Sequence, residues 1–260
     1  MAKQQHTSIT LLGTGTSQGV PVIACNCHVC TSTDPRDKRL RSSAMFTIDG
    51  VNIVVDTGPD FRQQMLRHNV QDLRAVVFTH AHKDHTAGLD DVRSFNFKHN
   101  KNMDIYCEER VLHSLSKEFF YIFDENFQYP GIPRLTTNLI DGQPFFIDDI
   151  QVIPIRGMHL KLPVLGFRIN NIAYLTDMSV IDDTELEKLK SLSVLVIDAL
   201  RHEPHVSHFN LEQALDIVAK VKPQKSYFTH ISHLMGKHAD VQATLPENVF
   251  LGEDGLVIDY

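Results

Sequence analysis

Short apolar runs alternate with polar, turn-forming segments along this chain, and this pattern predicts buried strands. A first strand is predicted at 9–12, and the runs 44–48 and 51–55 flank Asp49-Gly50, a dipeptide typical of hairpin turns. A β-branched run predicts another strand at 73–78, and several short strands are expected between 134 and 173. Further apolar runs predict strands at 103–106, 172–175, 194–197 and 225–228.

Apolar residues at helical spacing lie between several of these runs. Residues 108–119 show the spacing clearly, another helix is expected from 182, and a short one at 86–92. Asp60 is expected to cap a helix that ends near 67, and Asn210 with Gln213 has the form of a capping box at the start of a later helix. Strands and helices in alternation indicate an α/β protein.

Residues 119–133 interrupt this pattern. The segment is aromatic, poorly periodic, and contains Pro130, Gly131 and Pro133. It is therefore predicted to be a long loop that walls or covers a site. Its aromatic side chains serve packing in one interpretation and substrate contact in the other.

The composition is that of an ordinary globular protein, with 42% hydrophobic and 22% charged residues among 260, enough for one large domain or two small ones. A net charge of −7 argues against a general polyanion binder, although bound divalent cations would make one pocket positive for a small anion. No apolar run is long enough to span a bilayer, and the N-terminus lacks the apolar stretch of a signal peptide. The expected location is the cytoplasm, where thiols stay reduced and four cysteines suggest a metal site before disulfides.

The predicted strand at 73–78 leads directly into the most informative stretch of the chain, Thr-His-Ala-His-Lys-Asp-His at 79–85. His80, His82, Asp84 and His85 place four potential metal ligands within six positions. The first two imidazoles project to one side of an extended turn, while Asp84 and His85 can serve a second centre. Imidazoles beside a carboxylate suit zinc, or manganese and iron at a more oxygen-rich centre.

Cys25, Cys27 and Cys30 form a second cluster, in the spacing Cys-x-Cys-x-x-Cys. Thiolates this close in sequence suit one tetrahedral zinc that still needs a fourth ligand. His28 would be strained as a ligand in so short a loop, so a distant histidine is the better candidate. A redox loop or unpaired thiols are the alternatives. Cys107 stands apart and is expected to be a small buried residue.

The Gly-rich segment 13–19 ends the first predicted strand. A nucleotide-binding loop should open directly into a helix, whereas Pro21 and the cysteine cluster follow here. The glycines are therefore expected mainly to form turns. An approach of their backbone amides to a substrate is the alternative.

Polar residues recur where predicted strands end, as Thr-His80, Thr-Asp177 and Thr-His230. Ligands gather at strand ends in layered α/β folds, so we expect these ends to converge. Asp56, at another strand end, would either orient a ligand imidazole or serve a turn or cap. His208 lies just before a predicted helix, and from the residues alone it is either functional or part of the helix entry.

Together these motifs resemble the metallo-β-lactamase superfamily, whose His-x-His-x-Asp-His signature and remaining ligand positions are all filled. The matching residues are His80, His82, Asp84, His85, His159, Asp177 and His230. The resemblance covers nearly the whole chain. It implies a single domain over 1–260 with an αββα sandwich, in which helices flank two mixed sheets, and a zinc-binding loop at about 20–35.

Within the superfamily, the chain is similar to the phosphoribosyl cyclic phosphodiesterases of bacterial phosphonate breakdown. The similarity is carried by Leu-Gly-Thr-Gly-Thr-Ser at 12–17, the cysteine cluster, and Thr-His-Ile-Ser-His at 229–233. It implies a structural zinc held by Cys25, Cys27, Cys30 and His233. A relative that makes a quinone cofactor shares a similar cysteine cluster, so this cluster alone does not define the reaction.

The resemblance also implies two active-site metal ions, zinc or manganese. One ion would be held by His80, His82 and His159, and the other by Asp84, His85 and His230, with Asp177 bridging. Hydroxide shared by such a pair would attack phosphorus in line. The implied catalytic residues are Asp84 and His208, the latter as general acid.

The expected function is therefore hydrolysis of a small phosphodiester, for example a cyclic ribosyl phosphate. A transfer-RNA 3′-processing endonuclease is one alternative, but it would need a Gly- and basic-rich arm of which the sequence shows no counterpart. A thioesterase or other hydrolase of this fold is a second alternative, and a non-catalytic metal scaffold, which predicts a broken ligand set, is a third. Nucleic acid and membrane are not expected partners, and the assembly state, including a homodimer, is open.

Overall fold

The computed structural model describes residues 6–127 and 129–260. Residues 1–5, which belong to the N-terminus expected to lack a signal peptide, lie outside the described ranges, as does Gln128. The strands are β1 (Thr7–Gly13), β2 (Ser43–Ile48), β3 (Val51–Val55), β4 (Ala75–Val77), β5 (Met103–Cys107), β6 (Leu135–Leu139), β7 (Phe145–Ile147), β8 (Ile150–His159), β9 (Leu162–Ile169), β10 (Ile172–Tyr174), β11 (Val180–Ile181), β12 (Val194–Asp198), β13 (Lys225–Thr229), β14 (Val249–Leu251) and β15 (Val257–Asp259). The helices are α1 (Phe61–Arg67), α2 (Lys83–Thr86), α3 (Arg93–His99), α4 (Glu109–Glu118), α5 (Phe120–Phe123), α6 (Asp183–Glu187), α7 (Leu211–Val221) and α8 (His238–Gln242).

The strands form two mixed sheets with the same plan. The first has the order β15-β1-β2-β3-β4-β5-β6, antiparallel as far as β3 and parallel from β3 to β6. The second has the order β11-β8-β9-β10-β12-β13-β14, with β7 beside β8, and it is parallel from β10 to β14. Each half of the chain therefore supplies a run of parallel strands whose carboxyl ends can carry ligands.

The alternation of side chains along the strands divides the core into layers. Ile53 and Val55 of β3 face a cluster that also contains Val194 and Val196 of β12, so this cluster lies between the sheets. Val54 packs with α1 and α4 on the outer face of the first sheet, and Leu195 packs with α7 on the outer face of the second. Helix, sheet, sheet and helix form the predicted αββα sandwich.

Three local predictions are confirmed. The hairpin of β2 and β3 pairs Ile48 with Val51 across Asp49-Gly50. The capping box at α7 is complete, because the Asn210 side chain accepts a hydrogen bond from Gln213 N at 2.9 Å while Gln213 Oε1 accepts one from Asn210 N at 3.0 Å. Cys107 is fully buried, as expected.

The capping role predicted for Asp60 was wrong. Its carboxylate accepts hydrogen bonds from Arg41 N at 2.8 Å and from the Arg41 guanidinium at 3.0 Å instead of capping α1. An oppositely charged neighbour thus competes with the helix N-terminus for this side chain, and the carboxylate holds two segments together.

Element boundaries differ from the sequence predictions in three places. The helix expected at 86–92 starts earlier as α2 and is interrupted at Gly88, where an added Cβ would lie 2.2 Å from the Gly58 carbonyl oxygen. The polar helix α3 was not predicted, because only Phe95 and Asn96 in it are buried. The short strands expected after 134 include the long hairpin of β8 and β9, so His159 is the last residue of a strand rather than part of a loop.

The aromatic segment at 119–133 was predicted to be a loop, but it includes α5 and a 3₁₀ turn at Glu125–Phe127. Ile122 is buried, whereas Phe120, Phe127 and Tyr129 are exposed. Among the described residues, no helix is long and apolar enough to cross a membrane.

Candidate metal centre

The candidate site lies at the carboxyl ends of parallel strands from both sheets. His80 follows β4, Asp177 follows β10 and His230 follows β13, so the structure brings together the strand ends that the sequence singled out. Asp56, Asp177 and His230 have positive φ angles of 64°, 59° and 55°. Aspartate and histidine tolerate this left-handed backbone better than most residues, and it turns each chain sharply as the strand ends.

Four predicted ligands form the deepest part of the site. Asp84, His85, Asp177 and His230 each offer a ligand atom, and these atoms lie within 4.8 Å of one another. His85 Nε2 is 3.2 Å from Asp84 Oδ2 and 3.1 Å from Asp177 Oδ2. His230 Nδ1 is 3.1 Å from the same Asp177 oxygen. Asp177 therefore lies between two imidazoles, where a shared ligand would lie.

The remaining predicted ligands lie beside this group. His80 Nε2 is 3.0 Å from His82 Nδ1, and the ring centres of His82 and His159 are 5.1 Å apart. The His80 ring is 4.3 Å from the His85 ring, which connects the two sets. His80 and His85 are buried, whereas His82 is exposed and His159 half-buried, so the site opens on the side of the latter two.

The spacing of these donors fits divalent cations. Two nitrogens bound to one tetrahedral zinc lie roughly 3.3 Å apart, and the His80 and His82 nitrogens are 3.0 Å apart. The 3.1 Å separations at Asp177 are of the same size. Imidazole nitrogens and carboxylate oxygens are ligands that zinc and manganese accept.

The cysteine cluster closes around His233. His233 Nδ1 lies 3.4 Å from Cys25 Sγ, 3.3 Å from Cys27 Sγ and 3.5 Å from Cys30 Sγ. A sulfur and a nitrogen bound to one tetrahedral zinc are roughly 3.5 Å apart, so these four side chains fit one zinc ion. A hydrogen bond from the Cys30 amide, followed by the one with His233, lowers the pKa of the Cys27 thiol to about 6.

The fold agrees with that of known proteins. A family profile for the beta-lactamase superfamily domain matches residues 51–231. The chain belongs to this superfamily. Over 249 residues it is 41% identical to the octanoyltransferase of Porphyromonas gingivalis, covering 95% of this chain and 50% of that protein. The chain thus spans about half the length of the curated relatives it matches.

Two solved structures extend the comparison. A diphosphatase from the PhnP family is 38% identical with a TM-score of 0.92, and the match covers 98% of this chain and 97% of that one. Zn²⁺-bound PqqB from Methylobacterium extorquens has a TM-score of 0.77 at 19% identity, over 97% of this chain and all (100%) of that one, which shows the fold alone. The family profile and the structural match together show that the chain has the metallo-β-lactamase fold.

In this superfamily member a buried carboxylate orients a motif histidine. Asp56 Oδ2 accepts a hydrogen bond from His85 Nδ1 at 2.7 Å. Asp56 also accepts from Thr79 N at 2.9 Å and Thr79 Oγ1 at 2.7 Å, which fixes the carboxylate against the strand that leads to the motif. Such contacts set the tautomer and orientation of a ligating imidazole. Of the two roles that the sequence left open for Asp56, the structure favours the orienting one.

Charges in the buried group compensate one another. Burial raises the pKa of Asp177, but the charges of His230 and His85 outweigh it and hold this pKa well below the usual range. Burial lowers the pKa of His85, but the surrounding carboxylates, Asp177 first, raise it well above the usual range. Burial and then the charge of His85 lower the pKa of His80, which keeps that imidazole in the neutral form that binds cations.

His208 lies in the wall of the site. Its ring centre is 4.6 Å from that of His159 and 4.7 Å from that of His230. Its Nδ1 atom is 3.8 Å from Asp177 Oδ1 and has no hydrogen-bond partner among the described residues. Burial, followed by the charge of His230, lowers the pKa of His208 from the ordinary value near 6.5 to about 3.

Sequence reasoning missed Asp198, the last residue of β12. This buried carboxylate accepts hydrogen bonds from Met178 N at 3.0 Å and Phe209 N at 3.3 Å, and its Oδ2 lies 4.0 Å from His208 Nδ1. It thereby joins the segments that carry Asp177 and His208. The available signal was the apolar run 194–197 ending in an acidic residue, the same pattern as at Asp56.

Thr16 was also missed, although it belongs to the Gly-rich segment. Its hydroxyl oxygen lies 3.2 Å from His230 Nε2, and its amide donates to the Ile231 carbonyl at 3.1 Å. The Gly-rich segment therefore supports the strand end that carries His230, in addition to turning the chain. The same short stretch, 229–233, also carries His233 of the cysteine cluster.

Proposed function

We propose that this protein is a dinuclear metal-dependent phosphodiesterase that hydrolyses a small phosphodiester. The observation that carries this proposal is the convergence of seven donors at one open-sided site. They are His80, His82, Asp84, His85, His159, Asp177 and His230. The similarity to a diphosphatase at 38% identity over nearly the whole chain supports phosphate chemistry at such a site.

The ligands divide into two sets that share one carboxylate. His80, His82 and His159 would hold one ion, zinc or manganese, and Asp84, His85 and His230 the other, with Asp177 between them. A pair of divalent ions lowers the pKa of a shared water and neutralises charge on phosphate oxygens. The contribution of the chain is to fix these side chains before substrate binds, through Asp56 at His85 and through Thr16 at His230.

We assign to His208 the transfer of a proton to the leaving oxygen. Its imidazole lies beside His159 on the wall of the site, and Asp198 lies behind it. An anionic phosphate in the site raises the pKa of a neighbouring imidazole and so favours the protonated form that this role needs. The nearby Asp177 and His159 also make His208 a possible ligand in geometric terms, and the two roles differ in whether its removal releases metal.

The cysteine cluster is assigned to one structural zinc, held by Cys25, Cys27, Cys30 and His233. Because the ligands Cys25 to Cys30 lie in a loop of irregular structure, binding contributes to the folding free energy of that loop. Thiolate ligands of this kind persist where the surroundings are reducing, which supports a cytoplasmic location.

The other candidate substrates have less support. The net charge of −7 disfavours a long polyanion such as transfer RNA. The similar octanoyltransferase matches this chain over only 50% of its length, so its acyl transfer can belong to the half that this chain does not match. A thioester remains the second candidate, because Asp84 is compatible with phosphodiesters and thioesters alike.

The proposal is tested by a substrate panel on purified protein of known metal content. A chromogenic phosphodiester, a cyclic ribosyl phosphate, an acyl thioester and a precursor transfer RNA are compared, with Asp177→Asn as the matched inactive control. We expect turnover of the small phosphodiesters that Asp177→Asn loses. Turnover of the thioester or the RNA alone would overturn the proposal.

A further inference from the structure

Two exposed aliphatic side chains flank the open side of the metal centre. Leu160 directly follows the candidate ligand His159 and is 55% exposed, and Val206 is 72% exposed. The Nδ1 atom of His159 donates to the Ser207 carbonyl at 2.8 Å, which joins the two segments that carry these side chains. Leu160 and Val206 are therefore the chain neighbours of two residues that contact each other at the open side of the site.

The positive φ angle at Leu160 is unfavourable for leucine, so the local backbone conformation does not explain why a leucine occupies this position. Leu160 and Lys161 connect the paired residues His159 and Leu162 at the tip of the β8–β9 hairpin, and Leu160 has a φ of 56°. Turns of this length favour glycine, asparagine or aspartate at positive φ. Among the non-glycine residues with positive φ in the described ranges, Leu160 is the only one with a branched aliphatic side chain.

Strain of this kind at the edge of a site is a reason to look for a function of the side chain. Leu160 gains little from packing because more than half of it is exposed. Its amide donates a hydrogen bond to Ser179 Oγ at 3.2 Å, which anchors the backbone of the turn. An anchored, exposed leucine beside a ligand is suited to contact whatever enters the site.

We propose that Leu160 and Val206 form an apolar clamp for the ester group that stays on phosphorus while the other ester bond is hydrolysed. The clamp rests on the proposed phosphodiesterase function and assigns its substrate class, a diester whose retained group is aromatic or aliphatic. A second copy of the chain is a less fitting occupant, because a stable protein interface buries on the order of 1,000 Å² or more and these two side chains supply only a small part of it.

The test uses two diesters with the same p-nitrophenol leaving group, one retaining a phenyl group and the other a methyl group. Wild-type protein should prefer the phenyl diester in kcat/KM. Leu160→Asn and Val206→Ser should each reduce the phenyl-to-methyl ratio by about five- to tenfold, the effect expected when roughly 40–55 Å² of apolar contact is lost. The matched control is Val257→Ser, on β15 at the edge of the first sheet, where a valine is 51% exposed. It should leave the ratio unchanged.

Leu160→Asn has a second readout, because asparagine adopts positive φ more readily than leucine. Its Tm should equal or exceed that of the wild type while selectivity falls, a combination that damage to the fold would not produce. An unchanged ratio in both variants would overturn the clamp. So would a loss of self-association in Leu160→Asn, which would identify the surface as a contact between copies. If wild-type protein hydrolyses neither diester, the phosphodiesterase function itself fails.

Discussion

The two candidate metal-binding regions of this chain are built in opposite ways. The strand-end centre draws ligands from position 80 to position 230, and buried hydrogen bonds fix His85 and His230 among them. The cysteine cluster takes three of its four ligands from a six-residue stretch, 25–30, without helix or strand. The surrounding fold therefore pre-forms the first region, whereas we expect the second to depend on a bound ion for its order. Substitutions in each region can test separately whether the fold or a bound ion orders the ligands.

Asp177→Asn should give the largest effect because it removes the carboxylate that lies between the two imidazoles of the deep group. We expect phosphodiester turnover to fall by about 10³-fold or more, as the stabilisation of charge by paired ions is worth several kcal/mol. Metal analysis should show loss at the strand-end centre and one zinc retained. Loss of all metal together with unfolding would show that the regions are not independent.

His208→Ala tests whether His208 transfers a proton or holds a metal ion at the strand-end centre. Turnover should fall by about 10²-fold or more with the full metal content retained, since general acid catalysis contributes effects of this size. His202→Ala, in the same loop and exposed, serves as control and should retain activity. Release of an ion from His208→Ala would instead make His208 a ligand.

Asp56→Asn tests whether the strand-end centre is pre-formed, because it removes a partner of His85 without replacing any candidate ligand. Loss of the charged contact at 2.7 Å from His85 Nδ1 should weaken metal affinity at that centre by about 10–100-fold. Competition with a chelator measures the change, and the zinc of the cysteine cluster should be released at the same chelator concentration as in wild type. Equal affinity in both proteins would remove Asp56 from this role.

Cys27→Ser should have the smallest effect on chemistry and a clear effect on stability. One zinc should be lost and the free energy of unfolding should fall by about 2–4 kcal/mol, because the loop loses its ordering ion. Turnover should drop only a few-fold, through the link between His233 and His230 along 229–233. An unchanged zinc content would contradict the assignment of the cluster to a zinc site. Cys107→Ser is the control, because it removes a thiol outside the cluster and should leave the zinc content unchanged.

The sequence predicted the parts of the site that are local or periodic. The spacing of the candidate ligands at 80–85 and of the cysteines at 25–30 indicates metal binding without any knowledge of the fold. Thr-Asp177 and Thr-His230 repeat the pattern of an apolar strand that ends in a candidate ligand. The αββα sandwich followed from the resemblance that these residues carry. Alternating burial in β3 and β12 shows why the chain supports it.

Other features depend on contacts that no local pattern contains. The Thr16 hydroxyl reaches His230 across 214 positions of sequence, and Asp198 joins segments that are adjacent only in the folded chain. Asp60 was misassigned because its partner, Arg41, is 19 residues away. The low pKa of His208 likewise depends on burial and on His230, which lies beside it only after folding.

We propose, in all, three metal ions per chain, a pair at the strand ends and a separate zinc in the cysteine cluster. Anomalous diffraction from crystals of the metal-loaded protein, combined with elemental analysis, tests this most directly. We expect the anomalous signal and the elemental content of three ions per chain. Two should lie about 3.5–4 Å apart on either side of Asp177, and the third among the Cys25, Cys27 and Cys30 sulfurs and His233. A single ion at the strand ends, or a pair that does not contact Asp177, would contradict it.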